Sequence, residues 1–340
     1  MRRILVVGPS WIGDTVLAQP LFKLLHARHA GLVLDVLAPP WTLPLLERMP
    51  EVRRALASPF AHGDLRLGER RRLGRGLARE GYDQAIVLPN TFKSALVPLF
   101  AGIRVRTGYI GELRHWILTD ARHLDRERLP QLAQRYAALG LPRGEALPQP
   151  LPALKLRVDE AARRALLDRL GLDRQRPAAA LCPGAEYGPA KRWPARYFAE
   201  LAQGLAAHGC AVWLIGSRND RPLAAEIERA AGGVCRNLCG ETTLPEAIDL
   251  MASAALAVTN DSGLMHVAAA SGRPLLALYG SSSPAFTPPL TANAQTLRID
   301  LPCSPCFQRE CPLGHFNCMM QLTPERVLAA VDFDRISRLR

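Results

Sequence analysis

The chain has 340 residues, of which 48% are hydrophobic and 22% charged, a composition typical of a folded protein of about two domains and unlike that of disordered or collagen-like chains. Its 43 Lys and Arg outnumber 31 Asp and Glu, and the formal charge of +12 favours an anionic partner such as nucleic acid, an anionic membrane face or a phosphorylated small molecule. Apolar runs stay below the roughly 18 to 20 residues that span a bilayer, which excludes an integral membrane protein.

Short apolar runs alternate with longer helical patterns in the first half of the chain, which indicates βα units around a parallel sheet. After Met1 come two arginines and the run ILVV, which ends at Gly8 without the apolar region or cleavage site of a signal peptide. We therefore interpret this run as the first strand of a cytoplasmic protein. The predicted elements are strands at 3–7, 32–37 and 85–88 and helices at 14–28 and 92–100.

The second half repeats this pattern after a proline-rich connector at 141–154, of the semi-rigid extended kind that joins domains. The predicted elements are strands at 178–182, 211–215, 255–259 and 275–279 and helices at 195–208, 223–231 and 263–270. A last helix is predicted with Thr323 as N-cap and Pro324 in its first turn. The expected α/β chain has two doubly wound halves, 1–150 and 151–322, and a C-terminal helix at 323–340, with ligands in a cleft between the halves.

The glycine-rich turn GPSWIGDT at 8–15 joins the first predicted strand to the first predicted helix. Its glycines have the spacing of a P-loop, but Asp14 replaces the lysine that follows the second glycine there and would repel phosphate. Two interpretations of Asp14 stay open. It is a general base for a hydroxyl nucleophile, or it caps the helix.

A second motif, CPGAEYGPAKRWP at 182–194, follows the first predicted strand of the second half. Glycine and proline restrict its backbone, and Lys191 and Arg192 bring two positive charges near a strand end. Such a pair is suited to stabilising a phosphate leaving group. The alternative is a basic pair that is simply solvated.

A third motif, TNDSGLMH at 259–266, is the end of a strand and a polar turn that opens directly into a helix. Ser262 and Gly263 would expose backbone N–H groups at the helix start, which suits a diphosphate. Asp261 would oppose phosphate charge and is better suited to accept hydrogen bonds from sugar hydroxyls. His266 is a candidate for catalysis, although a histidine in a first helical turn is more typical of a structural or ligand-positioning role.

Together the motifs GPSWIGDT, PNTFKSAL, CPGAEYGPAKRWP and TNDSGLMHVAAA resemble those of glycosyltransferase family 9, the bacterial ADP-heptose:lipopolysaccharide heptosyltransferases. The resemblance covers the whole chain and is greatest to the members that add the second heptose of the inner core. It implies the GT-B architecture, in which an N-terminal Rossmann-like domain binds the acceptor and a C-terminal one binds ADP-heptose. It also implies an inverting transfer without a catalytic metal, in which an acceptor hydroxyl attacks the anomeric carbon of L-glycero-D-manno-heptose and ADP leaves.

The same resemblance implies roles for individual residues. Asp14 matches the family's proposed general base, and Lys191 matches the lysine that meets the diphosphate. Asp261 matches the residue that holds the heptose. The other predicted donor ligands are Gly13, Asp220, Thr242, Ser262, Gly263 and His266, of which Asp220 is assigned to the ribose hydroxyls.

The acceptor that the resemblance implies is heptosyl-Kdo2-lipid A, which is anionic and anchored in the inner membrane. It agrees with the charge of +12 and implies a peripheral protein on the cytoplasmic face of that membrane. A phosphate or a Kdo carboxylate would be met by amide, hydroxyl and basic side chains of the first half. The predicted acceptor ligands are Asn90, Lys93, Ser94, Arg106 and Arg114.

An arginine-rich segment in the first half alternates with leucines at 65, 67, 73 and 77. This pattern predicts an amphipathic helix in contact with anionic lipid. A solvated helix with its leucines in the core explains the same pattern. The arginines are Arg66, Arg70, Arg71, Arg72, Arg75 and Arg79.

Four of the eight cysteines lie between positions 303 and 318, in a proline-containing loop that also holds His315. One C-x-x-C pair and two further thiols suit a closed tetrahedral zinc site that staples the loop, because the cytosol disfavours disulfides. Free thiols or redox-labile pairing are the alternatives, and transfer is not expected to depend on the cluster directly. The four residues are Cys303, Cys306, Cys311 and Cys318.

Two other classes of protein share some of these features. A nucleic-acid-binding protein would explain the positive charge, but aromatic residues make up only 6% of the chain and no RNP-like pattern is present. A sugar-nucleotide epimerase of GT-B architecture would share the diphosphate site but needs acid and base groups acting on the donor sugar. Within the family, acceptor use of the heptosyltransferase I type is a further alternative.

Overall fold

The computed structural model describes residues 1–61 and 63–339. The chain divides into two compact units, one at Met1–Ala153 and one from Leu154 onward. This division lies in the proline-rich connector, close to the boundary at 150 that the sequence predicts. Within the described residues, no helix is long and apolar enough to cross a bilayer.

The N-terminal unit is built on a parallel sheet with the strand order β3-β2-β1-β4-β5-β6. Its described strands are β1 (Arg3–Val7), β2 (Val33–Ala38), β3 (Arg54–Ala57), β4 (Gln84–Val87), β5 (Val105–Tyr109) and β6 (Asp120–Arg122). At the centre, Val6 pairs with Val36 and Ile86. All three side chains are buried, because helices cover both faces of such a sheet and its strands are therefore continuously apolar.

The described helices of this unit are α1 (Ile12–Leu17), α2 (Gln19–Arg28), α3 (Leu43–Leu46), α4 (Leu67–Leu77), α5 (Leu96–Phe100) and α6 (Leu132–Ala138). The prediction of one helix at 14–28 is wrong, because Pro20 has no N–H to continue the ladder and a new helix starts around it. The helix predicted at 92–100 begins instead as a 3₁₀ turn, Phe92–Ala95, which leads into α5.

The C-terminal unit has a second parallel sheet with the order β12-β11-β10-β7-β8-β9. Its described strands are β7 (Ala178–Cys182), β8 (Ala211–Leu214), β9 (Cys235–Asn237), β10 (Leu256–Asn260), β11 (Leu275–Tyr279) and β12 (Ala294–Arg298). Counted from its own first strand, each sheet has the order 3-2-1-4-5-6 of a Rossmann fold. The predicted α/β class with two doubly wound halves is confirmed.

The described helices of the C-terminal unit are α7 (Glu160–Arg169), α8 (Ala195–Ala207), α9 (Arg221–Ala230), α10 (Leu244–Ser253), α11 (Gly263–Ser271), α12 (Asn317–Met320), α13 (Pro324–Leu328) and α14 (Phe333–Ser337). The single C-terminal helix predicted at 323–340 is wrong, since the chain forms α13 and α14. Asp332 starts the second of them by accepting a hydrogen bond from the Arg335 N–H. The turn between them lets Val327, Val331 and Ile336 all enter the core. Arg340 lies outside the described residues.

In both sheets the strand order reverses between the first and the fourth strand of the unit. Parallel strands leave a crevice beyond their carboxyl ends at this place, and ligands of such sheets bind there. In the N-terminal unit the place lies between β1 and β4, where the loops starting at 8 and 88 emerge. In the C-terminal unit it lies between β7 and β10, where the loops starting at 183 and 261 emerge.

Candidate functional site

The buried side chain of Asn260 attaches both ends of the loop at 183–193 to the end of β10. Its amide Nδ2 donates to the Pro183 carbonyl at 2.7 Å, and its Oδ1 accepts from the Trp193 N–H at 3.1 Å. Trp193 is itself buried and donates its indole N–H to the Leu322 carbonyl at 2.6 Å. Both ends of the loop are therefore fixed, and the residues between them are held over the carboxyl ends of β7 and β10.

Lys191 and Asp261, which the sequence places in separate motifs, form an ion pair at this position. Lys191 Nζ lies 2.6 Å from Asp261 Oδ2, and the two side chains are only 18% and 4% exposed. Little water screens such a pair. The pairing supplies each charge with its counter-ion, and an anionic ligand would have to compete with Asp261 for the lysine.

The helix α11 begins immediately beyond this ion pair, with Ser262 as its N-cap residue and Gly263 as its first helical residue. The backbone N–H groups of a first helical turn have no acceptors within the helix, and the helix dipole adds partial positive charge there. Lys191 and the start of α11 are thus both adjacent to Asp261, in a region suited to an anion.

His266 is the fourth residue of α11 and is 3% exposed. Burial lowers the pKa of His266 to about 4. The negative charge of Asp261 opposes this shift, and the positive charge of Lys191 adds to it. The imidazole is therefore neutral near pH 7. Among the described residues its Nδ1 atom has no hydrogen-bond partner, which favours a ligand-positioning role over that of a general base.

Further buried polar atoms accompany His266 at this edge of the sheet. Thr259 Oγ1, Ser281 Oγ and Ser282 Oγ are also buried and unpartnered within the described part of the chain. Buried hydroxyls without a protein partner are unusual in a closed core, and water or a polar ligand is the usual partner of such groups. Ser281 and Ser282 were missed by sequence reasoning, although their position after the correctly predicted strand β11 could have identified them.

Asp220 lies at the same edge, in the loop that follows β8. Its carboxylate accepts from the Ser217 N–H at 2.8 Å and from the Ser217 hydroxyl at 2.7 Å, and it lies directly against Gly184, where a Cβ atom would collide with it. Thr242 follows β9 and precedes Thr243, the N-cap of α10. Both residues thus lie on loops at strand carboxyl ends, and their binding roles stay predictions.

The loop that carries Lys191 rests on the cysteine-rich segment. The Ala190 N–H donates to the Arg309 carbonyl at 3.0 Å, and the Arg309 side chain donates back to the Tyr187 carbonyl at 2.7 Å. The Tyr187 hydroxyl donates to the Phe307 carbonyl at 2.8 Å. A disturbance of residues 303–318 is therefore expected to reach Lys191.

Cys303, Cys306, Cys311 and Cys318 line one cavity together with His315. Burial and the three neighbouring thiols raise the pKa of Cys318, whereas backbone N–H groups, foremost that of Phe316, lower the pKa of Cys311. The clustering that the spacing suggests is thus present. Within residues 1–61 and 63–339, however, no three His, Cys, Asp or Glu side chains are arranged as a set of metal ligands, and zinc stays a prediction.

In the N-terminal unit, Asp14 occupies the third position of α1, and its neighbour Gly13 is buried at the second. The N-cap position belongs to Trp11, whose side chain has no oxygen to cap a helix. Asp14 is half-buried, and its charge adds to burial in raising the pKa of Tyr136. Asp14 therefore lies just after β1 at this edge of the sheet, and its general-base role stays a prediction.

The prediction that Arg114 binds the acceptor substrate is wrong, because its side chain cannot reach a ligand. It is fully buried, and its guanidinium donates to the carbonyls of Pro89 and Tyr109 and, at 2.8 Å, to Asn90 Oδ1. Burial lowers its pKa to about 10. Arg106 is half-buried and donates from Nε and Nη1 to the carbonyls of Ile117 and Ile103, and its acceptor-binding role stays a prediction.

Two of the other predicted acceptor ligands also make hydrogen bonds in this region. Asn90 uses its side-chain oxygen to accept from Arg114, and the Ser94 hydroxyl donates to the carbonyls of Pro89 and Thr91. Lys93 is half-buried in the same 3₁₀ turn. These three residues share one loop at the end of β4, where their acceptor-binding role stays a prediction.

We expect Arg114→Ala to destabilise the N-terminal unit by about 3 kcal/mol, because it leaves several buried acceptors unpaired and opens a cavity. Chemical denaturation of the purified chain measures this. Arg104→Ala, which removes an exposed arginine of the same region, is the matched control and is expected to change stability by less than about 0.5 kcal/mol. Equal stability of the two variants would contradict the scaffold role.

The predicted arginine-rich helix is present as α4, and both interpretations of it are partly right. Leu73 and Leu77 pack in the core, as expected of a solvated helix, whereas Leu65 and Leu67 are 51% and 52% exposed. Arg70 is the one buried arginine of this segment, and the prediction that it contacts lipid is wrong. It is 5% exposed and donates to carbonyls, including that of Lys93 at 3.1 Å.

Comparison with known proteins adds an independent finding. The family model described as Glycosyltransferase family 9 (heptosyltransferase) matches residues 70–317. The chain is 48% identical over 335 residues to lipopolysaccharide heptosyltransferase 2 of Escherichia coli K12, with 96% of each chain covered. It is 28% identical to lipopolysaccharide heptosyltransferase 1 of Pseudomonas aeruginosa, with 97% of each covered.

The solved structure of E. coli ADP-heptose LPS heptosyltransferase II is similar over nearly the full length. The TM-score is 0.86 at 45% sequence identity, covering 100% of this chain and 98% of that one. The two six-stranded Rossmann-like sheets are therefore those of a GT-B fold, as predicted.

Proposed function

The chain belongs to glycosyltransferase family 9, the heptosyltransferases, and we propose that it moves L-glycero-D-manno-heptose from ADP-heptose to the first heptose of heptosyl-Kdo2-lipid A, in the lipopolysaccharide inner core. The observation that carries the proposal is the Lys191–Asp261 pair beside the start of α11. It combines an anion site with a carboxylate suited to sugar hydroxyls. The 48% identity to a heptosyltransferase 2, against 28% to a heptosyltransferase 1, supports the second-heptose acceptor.

ADP-heptose would be held at the C-terminal unit. Its diphosphate would take the place of Asp261 beside Lys191 and accept hydrogen bonds from the N–H groups of Ser262 and Gly263. Asp261, freed from the lysine, would accept hydrogen bonds from the heptose hydroxyls, and neutral His266 would add one more. The buried hydroxyls of Ser281 and Ser282 supply further partners, and Asp220 is assigned to the ribose.

The reaction would need no metal, because this chain supplies the charges itself. Asp14 accepts the proton of the acceptor hydroxyl while its oxygen forms the bond to the anomeric carbon of the heptose. The bond from that carbon to the diphosphate breaks, and ADP departs with the electron pair. Lys191 and the start of α11 stabilise the negative charge that grows on the leaving group. Attack opposite the leaving group inverts the anomeric configuration.

The acceptor would be held at the N-terminal unit, at the end of β4. Lys93 offers a positive charge to a phosphate or Kdo carboxylate, with Asn90 and Ser94 in the same loop. Since this acceptor is anchored in the inner membrane, the protein would work on the cytoplasmic face of that membrane as a peripheral protein. The net charge of +12 supports attraction to such an anionic surface.

The test is the release of ADP from ADP-heptose with and without heptosyl-Kdo2-lipid A. Release that requires this acceptor is the expected result. Conversion of the donor alone to an epimeric ADP-sugar, without net release of ADP, would favour the epimerase alternative. Transfer only to Kdo2-lipid A that lacks heptose would favour acceptor use of the heptosyltransferase I type.

For the cysteine cluster we propose one structural zinc ion, held by Cys303, Cys306, Cys311 and Cys318. The cavity between these thiols has a volume of about 20 Å³, room for one water-sized occupant. The N–H groups around Cys311 favour its thiolate, the form that ligates zinc. The four sulfur atoms would have to close around the ion, because they do not form a ligand set among the described residues.

We expect the purified chain to contain one zinc per molecule by elemental analysis, and Cys306→Ser to lower that content below half. Cys235→Ser, which alters a buried cysteine outside the cluster, serves as the control and is expected to retain the metal. Four rapidly reacting thiols and no bound metal in the native chain would overturn this proposal. Four thiols linked as two disulfides would overturn it equally.

A further inference from the structure

A cleft with a volume of about 230 Å³ opens in the N-terminal unit, here named the basic cleft. It reaches the amino ends of two central strands, because Arg2 precedes β1 and Gln84 is the first residue of β4. Its other walls are the end of α2 and the segment that follows α6. Since β1 has five residues and is therefore about 17 Å long, the length of this strand separates Arg2 from the loop that carries Asp14.

The charged side chains that line the basic cleft are all arginines. They are Arg2, Arg28 and Arg122, and no carboxylate is among the described residues of its lining. Glu145 pairs with Arg28, but the two side chains are 40% and 36% exposed, and water screens such a pair strongly. The Arg2 guanidinium donates to a neutral group, Gln84 Oε1. Arg2 and Arg28 therefore give the cleft its positive charge.

A buried hydrogen-bond network holds two of these guanidinium groups from inside the sheet. Gln84 Oε1 accepts from Arg2 at 2.7 Å, and Gln84 Nε2 donates to the Thr107 hydroxyl at 2.9 Å. The Thr107 side chain also hydrogen-bonds Asp120, whose carboxylate accepts from Arg122 at 2.7 Å. Gln84 and Thr107 are both buried, where polar groups are costly unless paired. The network therefore fixes the position of Arg2 before any ligand binds.

The carbonyl groups at the end of α6 are occupied on this side of the unit. Arg122 Nη1 donates to the carbonyls of Ala138 and Leu141, each at 2.8 Å. Free carbonyls at the end of a helix would repel an anion, and this contact pairs two of them. Gly140 packs so closely against Leu21 that a Cβ atom would collide with it, which fixes the turn that forms this wall.

The third basic residue type of the cleft is His29, which follows Arg28 at the end of α2. Burial and the positive charges of Arg2 and Arg28 lower the pKa of His29. Its imidazole is therefore neutral near pH 7 and offers an N–H donor. Charges shift a neighbouring pKa in this way when they lie close to the group, so both guanidinium groups converge on His29. An anion between them would relieve their mutual repulsion.

We propose that the basic cleft is a second anion site, which binds the phosphate or diphosphate group of a small water-soluble molecule between Arg2 and Arg28. Planar guanidinium groups form paired hydrogen bonds with phosphate oxygens, and His29 adds a neutral donor. The volume of about 230 Å³ is room for several water-sized groups. The cleft lies wholly in the N-terminal unit, and the proposal goes beyond the proposed function, which places the donor at the C-terminal unit.

The test is calorimetric titration of the full chain with inorganic pyrophosphate in the presence of saturating ADP, which would fill the site proposed at Lys191. The wild-type chain is expected to bind one pyrophosphate with a Kd of about 1 mM or lower. Arg2→Ala/Arg28→Ala is expected to bind it at least about tenfold more weakly, because charge-assisted hydrogen bonds are lost. Arg2→Lys/Arg28→Lys keeps both charges without the planar guanidinium groups and is expected to have an intermediate affinity.

Arg104→Ala/Arg126→Ala is the matched control, since it removes two exposed arginines of the same unit that do not line the cleft. It is expected to bind pyrophosphate as the wild type does. Equal loss of affinity in this control would show attraction to the net charge of +12 alone and would overturn the proposal. A wild-type chain that binds no pyrophosphate once ADP is saturating would overturn it as well.

Two further measurements keep the test decisive. Arg28→Ala alone changes an exposed position at which the fold should tolerate the loss, and unchanged pyrophosphate affinity in this variant would count against the site. Lys191→Ala is expected to lose ADP affinity and to keep the pyrophosphate bound at the cleft, whereas Arg2→Ala/Arg28→Ala is expected to do the opposite. Loss of both ligands in either variant, with its thermal stability unchanged, would show one shared site and refute the proposal.

Discussion

Asp14→Asn is expected to lower kcat by two or more orders of magnitude and to leave the Kd for ADP-heptose nearly unchanged. General-base catalysis contributes roughly 10²- to 10⁴-fold, and an amide of nearly the same shape cannot accept the proton of the acceptor hydroxyl. The donor ligands proposed for the C-terminal unit are untouched by the change. Steady-state transfer at saturating substrates and calorimetric binding of ADP-heptose measure the two quantities separately.

The control for this variant is Asp300→Asn, which makes the same chemical change at an aspartate that is 82% exposed in the C-terminal unit. It is expected to have wild-type kcat. The N-cap of α1 is Trp11, so loss of a helix cap does not account for a large effect at Asp14. Turnover near that of the wild type in Asp14→Asn would remove the general-base role.

Lys191→Ala is expected to weaken ADP binding and to lower kcat/KM by about 10²-fold or more, because the positive charge opposes a negative charge that grows as ADP leaves. The structure adds a second cause. Without its partner at 2.6 Å, the carboxylate of Asp261 is a nearly buried charge with its counter-ion removed, and it would repel the diphosphate. Isothermal titration with ADP and steady-state kinetics measure both effects.

A second variant separates these two causes. In Lys191→Ala/Asp261→Asn the repelling carboxylate is gone, and we expect ADP to bind more tightly than to Lys191→Ala alone, whereas transfer stays low because both the lysine and the sugar ligand are missing. Arg196→Ala, which removes an exposed arginine at the start of α8, is the control for lost charge. Unchanged ADP affinity and rate in Lys191→Ala would exclude the lysine from the site.

Local patterns in the sequence are sufficient to predict the central strands of both sheets and the loops that follow them. The strands β1, β7 and β11 are predicted to the residue, because a strand buried on both faces must be apolar throughout and a glycine or a polar turn ends it. Their ends locate the loops that carry Asp14 and Lys191. The less apolar edge strands β3, β9 and β12 escape prediction, since their pairing depends on distant neighbours.

Only the tertiary structure decides which polar side chains face a ligand and which face the interior. The sequence predicts Arg114 as an acceptor ligand, yet its guanidinium is buried and donates to the carbonyls of Pro89 and Tyr109, which lie on separate segments. The pairing of Lys191 with Asp261, 70 positions apart, likewise depends on β7 and β10 being neighbours in the sheet. The residue types and loops are local properties of the chain, whereas the partner of each charge is set by strand order, because hydrogen bonds and ion pairs act between atoms only a few ångströms apart.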